Sequence, residues 1–188
     1  MLKTEKEIAN FIQNDDFMLR ALMVAKSANL PNWFVGAGFV RSTVWDIQSG
    51  FELKYDYKDL DLAYFDAEHV SEGDDELLSG KLNSLLDANW EVVNQAYAHK
   101  YNDVPKYTSA IDGLAHWVET ATCIAATLDS HDRVQIVAPW SVEDLLNMKL
   151  RLVPYFESKP YYQKLFMERV KSKCWLERWP NLELIAPS

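Results

Sequence analysis

Two acidic residues two positions apart, Asp59 and Asp61, head an apolar run made by Leu60, Leu62, Ala63 and Phe65. Read as a strand, this run turns both carboxylates to one face, with their backbones roughly 7 Å apart. Like charges fixed side by side repel. A divalent cation removes the repulsion, and hard oxygen donors suit magnesium or manganese. By itself the triplet is also what a solvated edge strand displays, so its weight depends on its surroundings. Glu91 is the third acid, at the start of a further short run from Trp90 to Asn94, with a helix between the two runs to return the chain. Carboxylates converging from neighbouring strands can hold two metal ions about 4 Å apart, positioning an attacking oxygen and a leaving pyrophosphate. A surface strand residue beside Trp90 is an equal reading of Glu91 taken alone.

Upstream, Val35-Gly36-Ala37-Gly38-Phe39-Val40-Arg41 reads as a strand, a tight turn and the start of a helix. Unpaired N–H groups and the dipole at a helix start attract phosphate. The spacing is neither the dinucleotide fingerprint nor the P-loop, and a turn that merely needs glycine also accounts for it. Arg41 falls one turn into the helix, within reach of a phosphate or of solvent. His99 and His116 have no serine or cysteine in a nucleophile motif to match them, and read as structural or exposed imidazoles. Trp117, Trp140, Trp175 and Trp179 read as core or lid packing.

These residues need elements to hold them. Ile8, Phe11 and Ile12, then Leu19, Leu22 and Met23, recur at helical spacing over 4–28, with a break at Asn14-Asp15-Asp16. A short strand around Trp33 to Val35, a helix from Phe39 to Ile47, a loop from Gln48 to Tyr57 and the Asp59 strand follow. Leu77, Leu78, Leu82, Leu85 and Leu86 mark an amphipathic helix over 72–87, and the Glu91 strand comes next. Helix and strand alternate, which indicates an α/β (α+β) sheet protein. Further on, Cys123–Leu128 and Arg133–Val137 form a hairpin around Asp129-Ser130-His131-Asp132. Ser141 caps a helix with Asp144 three residues on, and a last helix from Tyr161 to Trp175 stops before Trp179-Pro180. No linker divides the chain, so the reading is a single domain over 1–188: N-terminal helices 4–28, a core of about 30–140, and a C-terminal helical part 141–188.

Of 188 residues, 48% are hydrophobic and 13% aromatic, enough for one well-buried core. The formal charge of −9, from 19 basic and 28 acidic residues, repels phosphate backbones and disfavours nucleic acid as a partner. Lys149, Arg151, Lys159, Lys164, Arg169, Lys171 and Lys173 cluster late in the chain, and are read as a solvated helix face. Cys123 and Cys174 have neither zinc nor disulfide spacing. The charged N-terminus is not that of a signal peptide, and no run approaches the roughly 20 apolar residues of a membrane span. A cytoplasmic protein without membrane contact is expected.

The stretch from Gly36 to Asp46 followed by Asp59-Leu60-Asp61-Leu62-Ala63-Tyr64-Phe65-Asp66 resembles a bacterial family of nucleotidyltransferase-like proteins within the DNA polymerase beta-like nucleotidyltransferase superfamily. Trp90-Glu91-Val92-Val93-Asn94-Gln95-Ala96, Glu119-Thr120-Ala121-Thr122, Ala138-Pro139, Asp144-Leu145 and Trp179-Pro180 extend the likeness over about residues 30 to 180. The resemblance implies a minimal nucleotidyltransferase core, a short mixed sheet flanked by helices, with extra C-terminal helices. It further implies that Asp59, Asp61 and Glu91 are catalytic and bind Mg2+ or Mn2+, and that Gly36, Gly38 and Arg41 hold a nucleoside triphosphate, ATP first among them. Transfer of a nucleoside monophosphate to an acceptor hydroxyl is the implied reaction. The turn carries Phe39 where the superfamily's serine falls, which leaves a catalytically degenerate nucleotide-binding or regulatory protein as the alternative.

Overall fold

The computed structural model describes residues 1–55, 59–102 and 104–187. The expected break between the first helices is present. Helix α1 (Glu5–Asn14) opens on a capping box between Thr4 and Glu7, and α2 (Asp16–Ser27) is capped by Asp15, which accepts from the Met18 N–H at 2.9 Å. Ile8, Ile12, Met18 and Leu22 are buried on their inner faces.

Strand β1 (Phe34–Gly36) leads into α3 (Gly38–Ser49); β2 (Leu60–Tyr64), α4 (Glu72–Leu85), β3 (Trp90–Asn94) and the one-turn α5 (Gln95–Ala98) follow. Lys58 and the end of the expected Gln48–Tyr57 loop lie outside the described residues, and Asp59 directly precedes β2. The hairpin of β4 (Ala125–Leu128) and β5 (Val134–Val137) turns at Asp129, whose carboxylate accepts from the His131 and Arg133 N–H groups. Together these strands make a five-stranded sheet in the order β3-β2-β1-β4-β5. Only β2 and β3 are parallel, and α4 supplies the crossover a parallel pair requires. The mixed α/β fold is the one expected.

Alternation along the strands gives the sheet two different faces. Leu60, Leu62, Tyr64, Val92, Val35 and Ala126 turn into the large core shared with α1, α2 and α3. The other face carries a small cluster, Phe34, Ala63, Ala125, Ala110 and Leu114, the last two from α6 (Ala110–Ala115). Helix α6 covers one end of that face; Asp61 and Glu91 occupy another.

The C-terminal part departs from expectation in two places. The Ser141–Asp144 capping box does not form: Ser141 has φ 69°, and the single-turn α7 (Glu143–Leu146) begins after Val142. Asp144 instead accepts from Thr120 Oγ1 at 2.8 Å and Arg151 Nε at 3.0 Å, tertiary partners that a local motif does not reveal. A parallel pair, β6 (Lys149–Arg151) with β7 (Glu183–Ile185), also escapes a pattern reading because each strand has three residues. Between them, α8 (Pro160–Ser172) and α9 (Trp175–Arg178) are separated by Cys174 at φ 51°. Trp179 then packs edge-on to Trp45 at 5.0 Å and donates its indole N–H to Asp46 at 2.7 Å, docking the chain end on α3. No helix among the described residues is long and apolar enough to cross a membrane.

Asp75 ties α4 to the sheet. Its buried carboxylate accepts from Tyr64 Oη (2.6 Å), Tyr97 Oη (2.8 Å) and the Asn94 N–H (2.8 Å). Asp75→Ala strands three buried donors and is expected to lower unfolding stability by roughly 3 kcal/mol, measured by urea denaturation.

Candidate active site

The parallel register pairs Asp61 directly with Glu91, as it pairs Leu60 with Trp90 and Leu62 with Val92. Both carboxylates therefore leave the sheet on the same face. They line one cleft of about 180 Å³, together with Gln95, Tyr101, Tyr107 and Trp117. Glu91 is exposed and Asp61 half-buried on the cleft floor. Burial first, then the charges of Glu91 and Asp59, push the Asp61 carboxyl from its usual 3.8 up to about 7; Arg41 and Lys173 pull the other way. Asp59 is close enough to be felt, but its side chain accepts from Asn89 Nδ2 at 2.5 Å and does not line the cleft. Among the described residues no three acidic, histidine or cysteine side chains converge tightly enough to form a complete metal cage.

The glycine turn differs from the simple expectation of glycine serving for left-handed backbone. The residue at φ 50° is Ala37, whose N–H is held by the Ile124 carbonyl at 3.1 Å. Gly36 is required for space: a Cβ there would come within 2.9 Å of two ring atoms of Trp117. Gly38 has room, its nearest neighbours being Ser42 Oγ at 3.7 Å and Arg41 Nη2 at 3.8 Å. No side chain caps α3, so its first N–H groups are left to other acceptors beside this open space.

Arg41 is buried rather than solvated. Its Nη1 donates to Thr122 Oγ1 at 2.8 Å, its guanidinium lies 4.6 Å from the Trp175 ring, and its Nε has no partner among the described residues. Burial lowers its pKa to about 10, opposed chiefly by the charge of Glu119. The histidines lie apart from this chemistry. His116 Nδ1 meets the Asp112 carbonyl at 2.8 Å and its ring stacks on Tyr107, while the half-buried His99 does not line the cleft. Of the four tryptophans read as packing, Trp175 and Trp179 are buried and Trp140 donates to the Ala115 carbonyl. Trp117 has a second role as cleft wall. It joins Tyr101 and Tyr107 there, from a segment of short turns without a periodic signal.

The sequence profile of the Nucleotidyltransferase family matches residues 23–184. The chain belongs to that family. A search of curated proteins finds no match. Among solved structures, one described as an NMR structure revealing a CCA-adding enzyme head domain is 26% identical, with a TM-score of 0.87 over 98% of this chain and 97% of that one. A tRNA-processing enzyme in an apo form is 16% identical, with a TM-score of 0.51 over 98% of this chain, which spans only 45% of the enzyme. The second likeness is one of fold. This nucleotidyltransferase thus shares the head-domain architecture.

Two predictions concern the empty-handed protein in metal-free buffer. The folded-state pKa of Asp61 lies above its ordinary value, so the stabilisation from its neutral form is complete below about pH 4 and lost as pH rises through about 7. Asp61→Asn removes that loss: its melting temperature relative to the natural protein rises from pH 5.5 to pH 8, by the equivalent of roughly 1–2 kcal/mol once solvent screening is discounted. Gly36→Ala forces Trp117 off its seat and is expected to lower the melting temperature and quench or shift tryptophan emission.

Proposed function

We propose that this nucleotidyltransferase moves a nucleoside monophosphate from a nucleoside triphosphate, ATP in the first instance, to an acceptor hydroxyl at the Asp61–Glu91 cleft, with Mg2+ or Mn2+ as cofactor. The observation that carries the reading is the in-register pair of carboxylates on one cleft floor. Two oxygen donors that repel each other, one of them kept partly neutral by burial first and by that repulsion second, fit a hard divalent cation. Magnesium commonly takes one or two protein carboxylates and completes its shell with phosphate and water, so an incomplete protein cage is compatible with it. Asp61 and Glu91 would hold the ion, with Asp59 beside them; the ion would supply charge neutralisation at the reacting phosphate.

This chain's own groups do the rest. Gly38 and the uncapped start of α3 offer backbone N–H groups to the triphosphate, Gly36 lets the turn pass close beneath Trp117, and Arg41 offers a charge from beneath. The acceptor oxygen forms a bond to the α-phosphorus while the bond to the β-bridging oxygen breaks, and pyrophosphate leaves. The acceptor's proton passes to a Glu91 carboxylate oxygen, the more exposed acid of the cleft. Tyr101, Tyr107 and Trp117 offer faces for a planar ring.

The alternative, nucleotide binding without transfer, draws on Phe39, which is fully buried in the core and offers nothing to a phosphate. Both are decided by one experiment: pyrophosphate release from each of the four ribonucleoside triphosphates with Mg2+, offering small alcohols, protein and RNA ends as acceptors. Release is expected from the natural protein, and at least about a hundredfold less from Asp61→Asn and Glu91→Gln. Full activity in either variant defeats the site assignment. Magnesium-dependent ATP binding with no release in any combination establishes the alternative.

A further inference from the structure

The last turn of α8 carries Arg169, and Lys173 follows directly. The ordinary role of such residues is to face solvent and complement the helix dipole. Arg169 does something else. Its Nε and Nη2 bind Oε1 and Oε2 of Glu119 at 2.6 and 3.3 Å, and Glu119 is fully buried. Arg169 also lies 5.9 Å from the Trp175 ring, the same ring that Arg41 approaches at 4.6 Å. Cys174, at φ 51°, is the kink that turns Trp175 back under the two guanidinium groups. The segment that starts at Glu119 then supplies Thr122, the partner of Arg41, and Ile124, whose carbonyl holds the glycine turn. One continuous set of contacts thus joins the end of α8 to the start of α3.

The charges in this set do not balance. Glu119 pairs with Arg169, which retains Nη1 for another acceptor. Arg41 is buried with no carboxylate in ion-pair range among the described residues and with Nε unmatched. Lys173 is exposed and forms no ion pair among the described residues, yet the charges of Lys173 and Arg41 both reach Asp61, and that of Asp61 reaches Arg169. A buried guanidinium with no ion-pair partner in contact is costly, and an anion beside Gly38, near Arg41 Nη2, would relieve it.

We propose that Arg169 and Lys173, delivered by the end of α8, complete with Arg41 a cradle for the polyphosphate of the nucleotide, and that Glu119 is the positioning residue that holds Arg169 in it. The proposal rests on the triphosphate reading of the Gly38 turn, but not on transfer. Phosphate number, rather than the base, then dominates nucleotide affinity.

The test uses inorganic triphosphate, which carries no nucleotide to transfer, and separately AMP, with calorimetry on the whole chain. The natural protein is expected to bind triphosphate, and to bind it roughly tenfold more weakly in Lys173→Gln and in Arg169→Gln, with AMP affinity unchanged in both. Lys173→Gln is a surface change that keeps the test valid where Arg169→Gln fails to fold. Arg169→Lys should restore part of the loss. Glu119→Gln should weaken triphosphate but not AMP, and in a transfer assay raise the KM for the triphosphate more than it lowers kcat, a split that loosened packing does not produce. Triphosphate binding lost in these variants while no transfer is detected supports the cradle and defeats the transfer reading. Transfer that proceeds while Lys173→Gln and a folded Arg169→Gln bind triphosphate as the natural protein does overturns the cradle alone. Absence of triphosphate binding by the natural protein also overturns it.

Discussion

The pairing of β2 with β3 in parallel register is the constraint on which the functional face depends. Parallel neighbours cannot be joined by a turn, so α4 must cross between them, and the hydrophobic alternation of both strands then leaves one alignment open. A slip by one residue would put Leu60 and Leu62 on the open face and Asp61 in the core. With that register, Asp61 and Glu91 are forced together, and the energy of keeping two acids side by side is offset by a proton or by a cation. The raised pKa of Asp61 comes first from its burial and then from this repulsion by Glu91 and Asp59.

The sheet separates stability from chemistry by face. Its inner face is sealed by α1, α2 and α3, while the outer face is only partly sealed by α6 and its small cluster. What remains is a cleft with acids on the floor and Tyr101, Tyr107 and Trp117 in its walls. Trp117 links the two halves of the site: its ring presses on Gly36 and also borders the cleft, so turn and wall share one side chain.

The C-terminal helices are part of this arrangement rather than an appendage. Trp179 and Arg178 close on Asp46 of α3, and Trp175 packs beneath Arg41. The end of α8 is thereby linked to α3 through Trp175, whose ring lies near both Arg41 and Arg169, residues more than a hundred positions apart. The structural likeness to a CCA-adding enzyme head domain covers the whole of this architecture, C-terminal part included.

Much of this was legible in the sequence by itself, because local rules dominate there. Alternation marked β2 and β3, the Asn14-Asp15-Asp16 break marked the division of α1 from α2, and the order of helices and strands marked the mixed sheet. The acids and the glycine turn were legible as types at a spacing. Their partnership was not, since Asp61 beside Glu91 follows from strand register and Asp59 on Asn89 from a loop contact. Tertiary structure alone decided that Ala37, and neither Gly36 nor Gly38, takes the positive φ of the turn, that Arg41 is buried, and that Asp144 leaves a capping box with Ser141 for Thr120 and Arg151. It also took Arg169 out of what reads as a solvated basic helix face and set it on buried Glu119. The physical reason is common to these cases. Periodicity reports which face of an element is apolar, whereas the partner of a polar group is fixed only when distant elements pack, and a buried charge takes whichever counter-charge that packing brings.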